Sequence, residues 1–306
     1  MRVLFAGTPA VALPSLEALR SAGHEIVAVL TRPDAPLGRK RVMTPSAVAS
    51  RAAELGLPVI KTDKIDAEAA AAIAATAPEV AAIVAYGALI PEHALVIPEH
   101  GWINLHFSLL PAWRGAAPVQ HSVINGDEVT GASTFLLEKG LDTGPVYGTM
   151  TEAIKPTDTS AALLERLSHS GAMLLAQTMD GIAAGVLGGV EQQGEISLAP
   201  KLTLEDGHVV WGDPALAISR RIRGVTTEPG AWTMMSGQRF KVGPVLLRPE
   251  VTDLTPAQLR IEAKCVLVGT GSHAVELVDV QPAGKKLMKA TDWARGLANK
   301  EDVVFE

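Results

Sequence analysis

The sequence predicts an α/β protein: a doubly wound, mainly parallel sheet followed by a small β-barrel. Three observations carry that expectation. Continuous apolar runs of strand length alternate with helical segments through the first half of the chain. Strands without polar alternation are covered on both faces, which parallel sheets flanked by helices require. The final third changes character, with short strands and regular turns of the kind that close small barrels.

In order, RVLFAG (2–7) reads as a buried strand and PSLEALRSAG (14–23) as a helix closing on Gly23. HEIVAVLT (24–31) is the second strand. TRPDAPLGRKRVMTPSAV (31–48) is expected to be a long loop, interrupted by Pro33, Pro36 and Gly38. Loops of that length between a strand and a helix are commonly functional. A helix over 45–56, a strand over 57–61, a helix over 66–77 and a buried strand over 79–87 follow. WINLHFSLLP continues the strand pattern, PVQHSVINGD is a helix ending at Gly126, and TGASTFLLEKG is a strand. LDTGPVYG reads as a turn, and a long helix covers about 158–186. Apolar periodicity lapses in LGGVEQQGE (187–195). The expected domains are therefore 1–189 and 208–306, with a linker over 190–207. Beyond it DPALAISRRIRG is helical, and GAWTMM, QRFKVGPVLLRP, IEAKCVLVG and HAVELVDVQPAG are strand-forming.

Composition narrows the class. The chain has 306 residues, 47% hydrophobic and 20% charged, which supports a buried core and argues against disorder. Its single cysteine, Cys265, cannot form an internal disulfide, so a reducing cytoplasm is the expected compartment. MRVLFAGTPA runs straight into a strand and lacks the pattern of a secretory leader. No apolar run approaches the ~18 residues of a membrane span, so no membrane partner is expected. Net charge is −6. The acidic excess lies in the first two thirds, while the last third holds the basic clusters RRIR (220–223) and Lys285–Lys286. Nothing in the pattern calls for more than a monomer.

The first strand-to-helix turn, AGTPAVALPSL, is not a dinucleotide fingerprint. Only Gly7 fits, and Pro9 stands where a second glycine would approach phosphate. The histidines show no metal-ligand spacing, so no metal is expected. The chemistry lies instead in WINLHFSLLPAWRGAAP (102–118). Residues two apart on a strand share a face, so Asn104 and His106 aim at one place, beyond the carboxyl end where α/β sheets bind ligands. An amide and an imidazole aimed together can hold a carbonyl oxygen as it gains negative charge. Asp142, bracketed by Gly140 and Gly144 in KGLDTGP, is the candidate carboxylate to orient the imidazole and accept a proton. From the residues alone this points to acyl or group transfer in an α/β crevice.

NLHFSLLPAWRGAAPVQHSVINGD and the LDTG loop resemble the two signatures of the formyltransferases that use 10-formyltetrahydrofolate. LFAGTPAVALPSLEAL, TRPDAPLGRKRVMTPSAV, APKLTLEDGHVVW and VQPAGKKLM are similar to the branch that formylates methionyl-tRNA. The resemblance implies a Rossmann-like catalytic domain and an OB-like C-terminal barrel. It implies formyl transfer from 10-formyltetrahydrofolate to the α-amine of methionine on initiator methionyl-tRNA, in translation initiation. Asn104, His106 and Asp142 would be catalytic. Ser108, Leu109, Leu110 and Pro111 would contact the folate, with Arg114 a further candidate. Arg39, Lys40 and Arg41 would reach the acceptor arm of the tRNA. This loop has Arg-Lys-Arg-Val where relatives often have Arg-Gly-Lys-Lys. Arg220, Arg221, Arg223, Lys285 and Lys286 would bind its backbone phosphates.

Overall fold

The computed structural model describes residues 1–38, 40–298 and 303–306. The chain divides into two compact units. The first holds Met1–Pro118, Val129–Ala153 and Leu164–Ala199, and the second Val119–Glu128, Ile154–Leu163 and Pro200–Glu306.

The first unit begins β1 (Arg2–Gly7), α1 (Leu13–Ser21), β2 (Glu25–Thr31). A short hairpin, β3 (Ala35–Leu37) with β4 (Val42–Thr44), stands where the sequence suggested only a loop. Its strands are three residues each and mostly exposed, too short for periodicity to reveal. Then come α2 (Ala47–Glu54), β5 (Val59–Lys61), α3 (Ala67–Ala75), β6 (Val80–Val84), α4 (Glu92–Leu95) and β7 (Trp102–His106). The Ser46 and Asp66 side chains accept from Ala49 N and Ala69 N, capping α2 and α3. α5 (Pro118–Asn125) lies almost wholly in the second unit, β8 (Val129–Leu136) and β9 (Val146–Ala153) belong to the first, and α6 (Ser160–Ala183) begins in the second and continues in the first.

Seven strands form one sheet in the order β5-β2-β1-β6-β7-β8-β9. β5, β2, β1, β6 and β7 are parallel; β8 and β9 add antiparallel to the β7 edge. Parallel alignment gathers the carboxyl ends of β1, β2, β6 and β7 along one edge. The chain order reverses between β1 and β6, the switch point where such sheets open a crevice. The apolar runs behave as expected: β1 and β6 are buried along almost their whole length. Leu4, Ala6, Leu30, Ile73, Ile83, Tyr86 and Trp102 belong to one core cluster. The Trp102 indole donates to Ala94 O at 2.8 Å, pinning the start of β7 to α4.

Two expectations are corrected. The turn read in LDTGPVYG ends early, because β9 starts at Val146. β9 is the sheet's edge and mostly part-exposed, so its Thr and Glu residues hide its strand character. Residues 190–199 are not linker but part of the first unit. Val190 and Val146 exchange both backbone hydrogen bonds at 2.8 Å, and Ala199 N–H donates to Arg114 O at 2.7 Å. A segment ordered by backbone pairing needs no apolar period, which is why the sequence hid it.

The second unit has α7 (Ala215–Gly224), then β10 (Ala231–Met235), β11 (Gln238–Val242), β12 (Val245–Arg248), β13 (Leu259–Ile261), β14 (Val266–Val268), β15 (Ala274–Leu277), β16 (Asp279–Gln281) and β17 (Met288–Lys289), ending in α8 (Ala290–Arg295). The strands pair as two antiparallel four-stranded sheets, β10-β11-β16-β17 and β12-β15-β14-β13. Phe240, Val242 and Val280 from one sheet share a core with Val245, Val268 and Leu277 from the other.

Candidate active site

β7 delivers Asn104 and His106 to the carboxyl edge of the sheet. Asn104 pairs with Ile83 of β6 and Phe135 of β8, and His106 with Ser133 of β8. Strands on both sides therefore fix the height of Asn104, and β8 alone fixes that of His106. His106 is buried, 6% exposed, while Asn104 is part-exposed. Its ring meets the Phe135 ring edge-on, centroids 6.3 Å apart.

Asp142 arrives on the loop between β8 and β9, itself 8% exposed. Its Oδ2 lies 3.7 Å from His106 Nδ1 and accepts from Gly115 N–H at 2.7 Å. Asp142 adopts a left-handed conformation, φ 50°, a strained state that persists only where surrounding contacts hold it. The two close approaches beside it demand glycine. A Cβ on Gly115 (φ +124°) would lie 2.6 Å from Ala199 O, and one on Gly144 would lie 1.9 Å from Leu136 O.

His106 Nε2 sits 2.9 Å from Trp113 O. A carbonyl only accepts, so Nε2 carries the proton of the neutral ring and Nδ1 turns its lone pair to Asp142. Burial holds the imidazole below its usual range, while the Asp142 charge and the Trp113 carbonyl pull the other way. The ring at rest is neutral, and a proton taken at Nδ1 would face a carboxylate.

The segment after β7 is tied down by Ser133. Its hydroxyl donates to Ser108 O at 2.7 Å and accepts from Leu110 N–H at 3.1 Å. The Ser108 hydroxyl is buried and donates to Ala112 O at 2.6 Å. The Ser108 side chain is therefore spent on its own turn, and Pro111 is buried. Leu109 and Leu110 are the part-exposed members of the four.

The comparisons with known proteins agree along the chain. Residues 1–179 match the family model described as formyl transferase, and residues 201–298 the formyl transferase C-terminal domain. The chain is 69% identical to the methionyl-tRNA formyltransferase of Pseudarthrobacter chlorophenolicus and 67% identical to that of Paenarthrobacter aurescens. Each alignment covers 100% of both chains. The chain belongs to the methionyl-tRNA formyltransferase family. The crystal structure of HypX from Aquifex aeolicus in complex with tetrahydrofolic acid is similar in fold, with TM-score 0.67 at 15% identity. That match covers 96% of this chain and 47% of that one.

The other candidates of this methionyl-tRNA formyltransferase family member fall in different places. Lys40 and Arg41 are exposed between β3 and β4; Arg39 lies outside the described residues. Lys285 and Lys286 are exposed between β16 and β17. Arg220 and Arg221 are part-exposed on α7, and Arg221 Nη1 donates to Asp206 O at 3.2 Å. Arg223 is corrected. It is 9% exposed and its Nη1 donates to Asp158 O at 2.8 Å, so its guanidinium braces the fold rather than meeting a phosphate. α7 turns this position inward, which a run of four residues does not reveal. Arg114 is likewise engaged: its Nε and Nη2 both donate to Gln192 Oε1, at 3.2 and 2.7 Å.

Gln192, Ser197, Ser133 and the carbonyl of Trp113 were not singled out in the sequence. Ser197 Oγ accepts from Trp113 N–H at 2.8 Å. No motif marks these residues, because each acts through a partner distant in the chain. Among the described residues no group of His, Cys, Asp and Glu side chains could hold a metal. No helix among them is long and apolar enough to cross a membrane.

Proposed function

We propose that this chain transfers the formyl group of 10-formyltetrahydrofolate to the α-amine of methionine on initiator methionyl-tRNA, at the start of translation. The observation that carries this reading is the buried His106–Asp142 pair, 3.7 Å apart beside Asn104, in a chain 67–69% identical from end to end to named methionyl-tRNA formyltransferases.

Asn104, His106 and Asp142 are the catalytic groups. The neutral amine attacks the formyl carbon, and its lone pair forms the new C–N bond as the carbonyl electrons move to oxygen. Asn104 Nδ2–H and the His106 N–H donate to that oxyanion. A full negative charge outcompetes the Trp113 carbonyl for the imidazole proton, because charge-assisted hydrogen bonds are about twice as strong. Asp142, directly or through water, accepts the proton that the attacking nitrogen loses. Collapse of the tetrahedral adduct re-forms the carbonyl and breaks the bond to N10 of the folate, which takes up the proton that Asp142 accepted, directly or through water, and leaves as tetrahydrofolate. Leu109 and Leu110 line the pterin slot, and the backbone of Ser108–Pro111 offers it hydrogen bonds.

The first unit, which carries Asn104, His106 and Asp142, does the chemistry, and 208–306 hold RNA. Arg39, Lys40 and Arg41 reach the acceptor arm. An unpaired first position opens there without the few kcal/mol that breaking a base pair costs, which selects the initiator. Arg220, Arg221, Lys285 and Lys286 bind phosphates. The protein acts in the cytoplasm as a monomer, which sedimentation at working concentration tests.

The deciding experiment supplies 10-formyltetrahydrofolate with charged initiator or elongator methionyl-tRNA and follows formyl-methionine. Transfer to the initiator alone supports donor, acceptor and discrimination together. Transfer to neither, with folate bound, overturns the acceptor.

A further inference from the structure

We propose that Gln192 is a positioning residue of this site: its carboxamide clamps the Asp142 loop and so sets the carboxylate against His106. The proposal rests on the role given above to Asp142.

Gln192 lies in the glycine-rich stretch after α6. It is part-exposed while its neighbours Glu191 and Gln193 are exposed. Its Nε2 donates to two carbonyls, Asp142 O and Gly144 O, both at 2.8 Å. Its Oε1 accepts from Nε and Nη2 of Arg114. The amide orientation follows from chemistry alone: carbonyls only accept and a guanidinium only donates. Both donor hydrogens of the amide are thus used on the loop that bears the catalytic carboxylate, at the residue held in a left-handed conformation.

The same side chain joins two arms of the site. Arg114 sits in the turn whose next residue, Gly115, donates its N–H to Asp142 Oδ2. Gln192 therefore holds Asp142 from its backbone side while Gly115 holds it from its carboxylate side. The flanking segment locks the same turn, through Ser197 O accepting from Arg114 N–H at 2.9 Å and Ala199 N–H donating to Arg114 O. A carboxylate at 3.7 Å from an imidazole is sensitive to small displacements, because its charge acts through a low-dielectric interior. Without the two bonds to its backbone, the loop is free to relax from the left-handed conformation and carry Asp142 away.

The test compares the wild-type chain with Gln192→Met, which keeps the volume and removes both donors, and with Asp142→Asn. The first readout needs no substrate. Histidine ring resonances are followed by NMR against pH, with His106 assigned through His106→Gln. Removing the carboxylate charge lowers the His106 titration in Asp142→Asn, and Gln192→Met is expected to move it in the same direction. The second readout is kinetic. Gln192→Met is expected to lower kcat at least tenfold, with the KM for the folate donor within twofold. Combined with Asp142→Asn it is expected to add less than twofold to the loss, as coupled residues do. An unchanged His106 titration in Gln192→Met overturns the proposal, and so does a loss that adds in full to that of Asp142→Asn. Should Gln192→Met fail to fold, Gln192→Leu is read the same way. A wild-type chain that formylates no methionyl-tRNA overturns the proposed function instead, and the titration still decides the role of Gln192.

Discussion

His106 Nδ1 and Asp142 Oδ2 stand 3.7 Å apart, with side chains only 7% and 11% exposed. At that separation the pair is near but not hydrogen-bonded, and the ring's proton sits on the opposite nitrogen, at Trp113 O. The site thus holds a neutral imidazole, a carboxylate with one oxygen fixed by Gly115, and an amide with no side-chain hydrogen bond among the described residues. Hydrogen bonds that serve catalysis are often long without substrate and tighten in the complex.

Asp142→Asn keeps the shape and removes the charge. Formyl transfer is expected to lose about 10²–10⁴-fold in kcat, the usual range for a general acid or base, while folate binding survives. Steady-state kinetics with separate titration of the folate checks it. Unchanged turnover would remove Asp142 from proton handling.

Asn104→Ala removes the amide proposed above to hold the oxyanion. The expected loss is about 10²–10³-fold in kcat, the size found for single donors in such holes, with little change in the KM of either substrate. A change confined to KM would make Asn104 a ground-state binding residue.

The stability of the chain should report on His106. Burial lowers its affinity for a proton in the folded state, below the ordinary value of about 6.5. As pH falls below about 6.5 the unfolded chain binds the proton first, so the unfolded state is favoured and stability drops. His106→Gln cannot take that proton. The fall in Tm between pH 7.5 and pH 5 is therefore expected to be smaller in the variant. An equal or larger fall would mean that His106 is protonated as readily folded as unfolded.

Charge on the second unit divides into two kinds. Lys285 and Lys286 are exposed, and replacing both with Ala is expected to flatten the log–log salt dependence of tRNA binding by about one to two units of slope. Arg223 is buried on Asp158 O. Arg223→Met is expected to leave that slope unchanged and to alter stability by about 1–3 kcal/mol, the cost of a buried group left unsatisfied. Binding measured from low to moderate salt, beside thermal melts, separates the two.

The sequence by itself determined the parallel half of the sheet. β1, β2, β6 and β7 are short apolar runs between helical segments, and local patterning suffices to name them. It also placed Asn104 and His106 on one face of β7, because a strand's period of two is a local property. What it could not reach were contacts chosen across the fold. β9 is an edge strand whose Thr and Glu residues satisfy solvent, so it reads as a turn. Asp142 was found as a carboxylate between glycines, but its closeness to His106 depends on a left-handed residue, two intolerant glycines and the amide of Gln192. Arg223 shares a basic run with Arg220 and Arg221, and only the packing of α7 decides which of them faces inward. Gln192 left no signal at all. Its hydrogen bonds go to backbone carbonyls and a guanidinium far along the chain, and backbone groups are the same at every position, so only the tertiary structure could select them.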